Sequence, residues 1–266
     1  MKIKHIITTR LCRSDFLKDG RVFEEKYVYD SIGIMQNNFI RTLENQTNKN
    51  FEILVLCNPK NDDKKFLYEK LETKLDIKFM SAGTFEYVNS FFDEYDFIIN
   101  TTLDTDDFLH KDCVEMIQKC VRDNTTFKMY GFVNGATIVQ GEHTAYKFEK
   151  EYLGKTGFMS CGTSIIYSTK LNFTKEFPYF IYSVAKKYNG KHTNWKNIIL
   201  SEYKNWGLEY LDEDFFDYTN DDKIRFIWVR QPMSFSTIKL NKDNSKLHFS
   251  NVSKEINLLD DFGYMY

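Results

Sequence analysis

The sequence predicts an α/β fold built on a sheet that is parallel in its first half and mixed in its second. Three observations carry this. Short apolar runs alternate with amphipathic helical stretches over about the first 120 residues, the pattern of βαβ units. One of those runs, FEILVL at 51–56, is apolar almost throughout, as a strand covered on both faces should be. Beyond that point the alternation gives way to strand-like runs joined by turn residues.

The elements follow in order. KHIITT (4–9) reads as a first strand ending in small polar residues, and CRSDFLKDGRVFEE as a loop with charge of both signs. A helix comes next, with Ile32, Met35, Phe39 and Leu43 spaced to share one face. NQTNKN stops it ahead of the 51–56 strand. NPKNDD is a turn containing a helix N-cap, and Phe66, Leu67 and Leu71 mark a second helix. DIKFM is a third strand, TFEYVNSFF a short helix and DFIIN a fourth strand, followed by a helix over 109–121. FKMYGFV and ATIVQ flank Asn134-Gly135, the strongest short hairpin signal. GTSIIYS, LEYL and RFIWVR read as further strands. TNWKNIILSEYKNWG reads as a helix from a Thr193 cap to Gly207, and SKEINLLDDFG as a terminal amphipathic helix.

Composition narrows the function. A chain of 266 residues suits one large domain or one with a small appendage. At 42% hydrophobic, with apolar runs of strand length, it reads as globular and lacks a membrane-spanning stretch. The apolar run near the start breaks at Thr8, which does not match a secretory leader. A net charge of −2 with interspersed signs gives no footprint for nucleic acid. The five cysteines (Cys12, Cys57, Cys113, Cys120, Cys161) form no CxxC pair and read as reduced thiols of a cytoplasmic chain.

The stretch with most chemical content is TTLDTDDF, residues 101–108, directly after the fourth strand. In open parallel sheets, ligands bind beyond the carboxyl ends of strands. Thr8, Thr9 and Arg10 stand at one such end, Asn58 at another, and Asp104, Asp106 and Asp107 at a third. Crowded carboxylates need a compensating cation, a phosphoryl chemistry or plain solvation at a turn. Capping of the following helix accounts for one aspartate such as Asp107, but not for Asp104 and Asp106 together. If strand geometry persists, residues two apart point the same way, so Asp104 and Asp106 share a site. Their hard oxygens suit Mg²⁺ or Mn²⁺, ions that also hold substrate phosphates.

Two enzyme classes place D-x-D after an apolar strand. In haloacid-dehalogenase-type phosphohydrolases the motif lies on the first strand. Here it lies on the fourth, although Asp221-Asp222 mimics their distal acidic pair. The chain more closely resembles the GT-A glycosyltransferases, on FIRTLENQTNKNFEILVLCNPK and YDFIINTTLDTDDFLHKDCVEMI. More narrowly it is similar to the bacterial and viral rhamnosyltransferase family, on ITTR, QTNKNFEILVL, LDTDDFLHKD, WVRQPMSFS and the closing DDFGY.

That resemblance implies a GT-A fold, a Rossmann-like mixed sheet flanked by helices, as a single domain across residues 1–266. Residues 1–122 would form the nucleotide-sugar-binding half, and 123–266 the acceptor-side half with the C-terminal helix. It implies inverting transfer of a sugar, rhamnose by the family name, from a dTDP-, UDP- or GDP-sugar to a glycan or other hydroxyl acceptor, with peripheral membrane contact as an option. Asp106 would ligate Mn²⁺ or Mg²⁺, and Asp104 would touch the metal or the ribose. Asp107 would orient the sugar or cap the helix. Thr8, Thr9, Arg10 and Asn58 would line the nucleotide, and Arg230, Ser234 and Ser236 would close over the diphosphate. The family's usual acidic residue near those serines is replaced by Phe235. Asp212, Glu213, Asp214 and His192 are the candidates for the general base. Gly157 and Gly162 would line the acceptor side, while Trp195 and Trp206 suit core packing or sugar stacking. A GT-A domain that binds glycan without transfer is the remaining alternative.

Overall fold

The computed structural model describes residues 1–12, 24–139, 145–148, 161–174, 177, 179, 195–219, 221–230, 249–251 and 257–264. Strand β1 (Ile3–Leu11) leads into helix α1 (Glu25–Met35), which passes through a π turn (Gln36–Ile40) into α2 (Arg41–Glu44). Then come β2 (Glu52–Cys57), a 3₁₀ segment (Pro59–Lys70), β3 (Ile77–Met80), α3 (Thr84–Asn89), β4 (Phe97–Thr102), β5 (Phe108–Leu109) and α4 (Cys113–Lys119). The second half holds β6 (Phe127–Phe132), β7 (Gly135–Val139), β8 (Ala145–Phe148), β9 (Thr163–Ser168), α5 (Trp195–Glu202), β10 (Phe216–Thr219), β11 (Phe226–Arg230), β12 (Phe249–Asn251) and α6 (Leu258–Phe262).

Seven strands form the main sheet in the order β10-β6-β9-β4-β1-β2-β3. The strands β4, β1, β2 and β3 run parallel, and β9 enters antiparallel between β4 and β6. The fold is therefore a mixed α/β sheet, mostly parallel and flanked by helices, as the alternating pattern predicts. Strand alternation divides the core in two. Ile7, Ile53 and Ile99 pack with Val28, Ile32, Met35, Phe39 and Leu43 of the first helical run and with Val114 and Ile117 of α4. Ile6, Leu54 and Ile98 face the other way, onto Val88, Ile199 and Trp206. Each such aliphatic side chain contributes about 1.5–3 kcal/mol by leaving water. That explains why β1, β2 and β4 carry unbroken apolar runs.

Four local readings differ from the sequence expectation. The second helix is a 3₁₀ segment, in which the buried apolar side chains Leu67 and Tyr68 are neighbours rather than one α-helical face. LEYL is not a strand: Leu208 is buried but Tyr210 is exposed, and the edge strand forms later as β10. The helix expected over 109–121 is shorter, because its first residues go into β5.

The Asn134-Gly135 hairpin does not form. The strand β6 stays in the main sheet, whereas β7 pairs parallel with β11 in a second sheet of order β12-β8-β7-β11-β5. The physical reason lies at Gly135, which is in register with Phe226. A Cβ at Gly135 would lie 2.1 Å from the Phe226 ring, so the glycine serves a close approach, not a turn.

Candidate functional site at the switch point of the sheet

The chain runs outward from β1 through β2 to β3, then returns to place β4 on the opposite side of β1. The carboxyl ends of β1 and β4 therefore flank the topological switch point, where open α/β sheets bind ligands. Thr8 and Thr102 are in register there, and the Leu103 amide continues the ladder by donating to the Thr8 carbonyl at 3.1 Å. Two residues beyond each, Arg10 Nη2 lies 3.4 Å from Asp104 Oδ1. Both side chains remain about one-third exposed, at 34% and 33%, so a ligand can reach them.

The strand β4 ends at Thr102, so the period-two argument for Asp104 and Asp106 does not apply. The acids lie instead in a turn, closed by the Asp107 amide donating to the Asp104 carbonyl at 3.2 Å. Asn38 Nδ2 donates to the Asp106 carbonyl at 2.9 Å. The buried Asp107 carboxylate accepts the Val229 amide of β11 at 3.2 Å. Asp107 therefore ties the second sheet to the acidic turn. The residue that precedes α4 is Asp112, so Asp107 is not the helix cap.

The Cys161 thiol is pushed well above the usual range by burial first, and then by Asp107, Asp104, Cys113 and Asp106. Next to it, Gly162 donates its amide to the Thr102 carbonyl at 2.8 Å and adopts a φ of +73°. A Cβ there would meet Leu109 Cδ2 at 2.7 Å, so this glycine lets the β9 turn pack against the acidic segment.

The other predicted residues are placed as follows. The Thr8 hydroxyl is used internally, accepting from Asn100 Nδ2 at 2.6 Å. Thr9 is fully buried, and its hydroxyl has no hydrogen-bond partner among the described residues. Asn58 sits at the end of β2, where its side chain caps the 3₁₀ segment by accepting from the Lys60 amide at 3.0 Å. Arg230 ends β11, with its side chain outside the described residues, as is the side chain of Trp195. His192, Ser234, Phe235, Ser236 and Gly157 also lie outside the described residues. Trp206 is buried in the core.

Asp212 and Asp214 are not brought to the site. The Asp212 carboxylate accepts the Thr126 amide at 2.9 Å, the Thr126 hydroxyl at 2.5 Å and the Phe127 amide at 3.2 Å. Thr126 in turn receives the Ser168 amide, and Ser168 is in register with Phe97, at the start of β4. That is the opposite end of the sheet, about 16 Å from Thr102 at ~3.3 Å per residue. Asp214 pairs with the buried Lys128 in the same region. Asp212 and Asp214 thus anchor β6. Asp221 is likewise committed elsewhere, to Arg225 four residues on, before β11 begins.

Three side chains that hold the segment after β4 escape sequence reasoning: Asn38, Thr42 and Gln46, four residues apart. Thr42 Oγ1 donates to the Leu109 carbonyl at 2.8 Å and accepts from its amide at 2.9 Å. Gln46 donates to the His110 carbonyl at 3.1 Å and accepts from the Val114 amide at 3.1 Å. The spacing itself is a signal, but polar residues at helical spacing read first as a solvated face.

No protein-family model and no curated protein matches the chain. Solved structures similar to it include a cytidylyltransferase from Leptospira borgpetersenii serovar Hardjo-bovis (9% identity, 84% of this chain and 77% of that one, TM-score 0.36). Another is a fragment of Staphylococcus aureus TarS in complex with UDP (14% identity, 87% of this chain, 61% of that one, TM-score 0.38). A third is a protein from Desulfovibrio desulfuricans G20 named as a nucleotide-diphospho-sugar transferase (11% identity, 84% of each chain, TM-score 0.39). The functional reading rests on the chain's own residues. Among the described residues no helix is long and apolar enough to cross a membrane.

Proposed function

We propose that the chain is a glycosyltransferase that moves a sugar from a nucleotide-diphosphate sugar to a hydroxyl acceptor. The observation that carries this reading is the meeting of Arg10 with Asp104 at the switch point, two residues before Asp106. A guanidinium offers a planar fork of donors for a diphosphate, and carboxylates beside it repel that diphosphate unless a cation intervenes.

The residues fit a divalent cation of the Mg²⁺ or Mn²⁺ kind. Among the described residues no three His, Cys, Asp or Glu side chains form a metal-holding group. Such ions need no protein cage: one or two carboxylates suffice when substrate phosphates and water complete the shell. Asp104 and Asp106 supply the two, and bound metal would neutralise charge developing on the leaving nucleoside diphosphate. Arg10 orients the diphosphate and holds Asp104 in place. Asp107 fixes the turn through Val229. By the family resemblance Arg230, at the end of β11, would close over the diphosphate.

Rhamnose as the sugar, dTDP, UDP or GDP as the nucleotide, an inverting outcome, a glycan acceptor and a cytoplasmic setting follow from the family resemblance. We assign no general base, since Asp212 and Asp214 are engaged at the far end of the sheet. In the phosphohydrolase reading, Asp221, one of the two distal acids, is paired with Arg225.

A panel of nucleotide sugars, assayed for nucleotide release with and without Mn²⁺, tests the proposal. Metal-dependent release from a dTDP-, UDP- or GDP-sugar is expected. Silence across the panel with glycan still bound would favour a non-catalytic domain, and cleavage of a generic aryl phosphate would favour a phosphohydrolase.

A further inference from the structure

We infer that Asn38 is the positioning residue of the proposed cation site, holding the Asp106 peptide in the orientation from which its carboxylate can ligate. The inference rests on the proposed role of Asp104 and Asp106. Asn38 of the π turn, Thr42 of α2 and Gln46, two residues past the end of α2, bind successive backbone groups of the segment that follows β4. All three side chains are buried, at 8%, 0% and 2% exposure; the Thr42 and Gln46 bonds are made away from competing water, and the Asn38 bond is partly buried. Thr42 and Gln46 hold residues 109, 110 and 114, which lie past the acids. Asn38 binds within the acidic turn itself, at 2.9 Å from the Asp106 carbonyl.

The local helix geometry supports a dedicated role. Asn38 lies in the π turn Gln36–Ile40, where an otherwise α-helical run widens. Such turns cost regularity and recur at functional positions. The side chain that results is not a ligand. It fixes the peptide that carries one, as outer partners of metal sites do. Asp107, tied to Val229, fixes the next peptide from the opposite side. The acidic turn is thereby held between the first helical run and the second sheet.

The test is Mn²⁺ titration followed by electron paramagnetic resonance, with UDP, dTDP or GDP present, on the full chain. Asn38→Ala and Asn38→Asp remove the donor and should weaken Mn²⁺ affinity about tenfold or more. Asn38→Ser keeps a shorter donor and should fall between them and the wild type. Gln46→Leu, a change just past the end of α2, should lower the melting temperature while leaving Mn²⁺ affinity within about twofold. Wild-type affinity in any folded Asn38 variant that lacks the donor would reduce Asn38 to a structural strut and overturn the inference. Absence of Mn²⁺ binding by the wild-type protein would instead remove the cation reading, and the inference with it.

Discussion

Arg10 and Asp104 close the crevice between β1 and β4, with Nη2 and Oδ1 3.4 Å apart and both side chains open to a ligand. A pair this exposed contributes at most about 1 kcal/mol to stability. Its value is in the charge it presents. Arg10→Gln should therefore leave the melting temperature nearly unchanged and weaken nucleoside-diphosphate binding about tenfold or more, since a charge-assisted contact is worth ~1.5–3 kcal/mol. Isothermal titration with UDP, dTDP and GDP against both proteins checks this. Equal affinities would separate Arg10 from the diphosphate.

His5 forms the centre of a buried chain of hydrogen bonds under the site. Gln118 Nε2 donates to its Nδ1 at 3.1 Å, so Nε2 carries the proton and donates to Thr101 Oγ1 at 2.7 Å. Thr101 is paired with Ser164 Oγ at 2.7 Å, and that hydroxyl donates to the Gly162 carbonyl at 3.3 Å. Burial lowers the His5 pKa from 6.5 to about 3. Between those values the unfolded chain binds a proton that the folded chain refuses, so stability falls as pH drops through that window. The slope contributed by one such group is at most about 1.4 kcal/mol per pH unit. His110, also lowered by burial and by Arg225, adds a term of the same sign. Urea unfolding from pH 7 to pH 4 should show a shallower loss for His5→Gln than for the wild type. Parallel curves would mean that His5 takes up its proton at the same pH in the folded and unfolded chain.

The strands β1 to β4 are legible in the sequence because strands covered on both faces need apolar residues at every position. The acidic turn is legible because it directly follows such a strand. The change of sheet at Asn134-Gly135 is not, since its cause is a ring at Phe226, far along the chain. An acidic run such as Asp212–Asp214 reads the same whether it performs chemistry or caps a strand. Only the position of Thr126 and Lys128 shows which. Asn38 carries no distinguishing mark until the Asp106 carbonyl is placed above it.

Gly135→Ala should be strongly destabilising, because the new Cβ meets the Phe226 ring at 2.1 Å. Overpacking of this kind costs about 1–3 kcal/mol. Combining it with Phe226→Leu should cost less than the sum of the single changes. Additive losses in denaturant unfolding would show that the two positions do not press on each other.

Asp212→Ala should lower stability by about 1–3 kcal/mol, through the Thr126 and Phe127 amides left without their acceptor. Turnover at a temperature where the variant is folded should stay within about twofold of the wild type. A loss of kcat by several orders of magnitude would restore Asp212 as a base.

The most direct test of the central claim is an anomalous difference map from crystals soaked with Mn²⁺ and a nucleoside diphosphate. The account predicts a peak within coordination distance of Asp106, with the diphosphate between that ion and Arg10. Diphosphate bound elsewhere, or a map with no peak at the acidic turn, would contradict it.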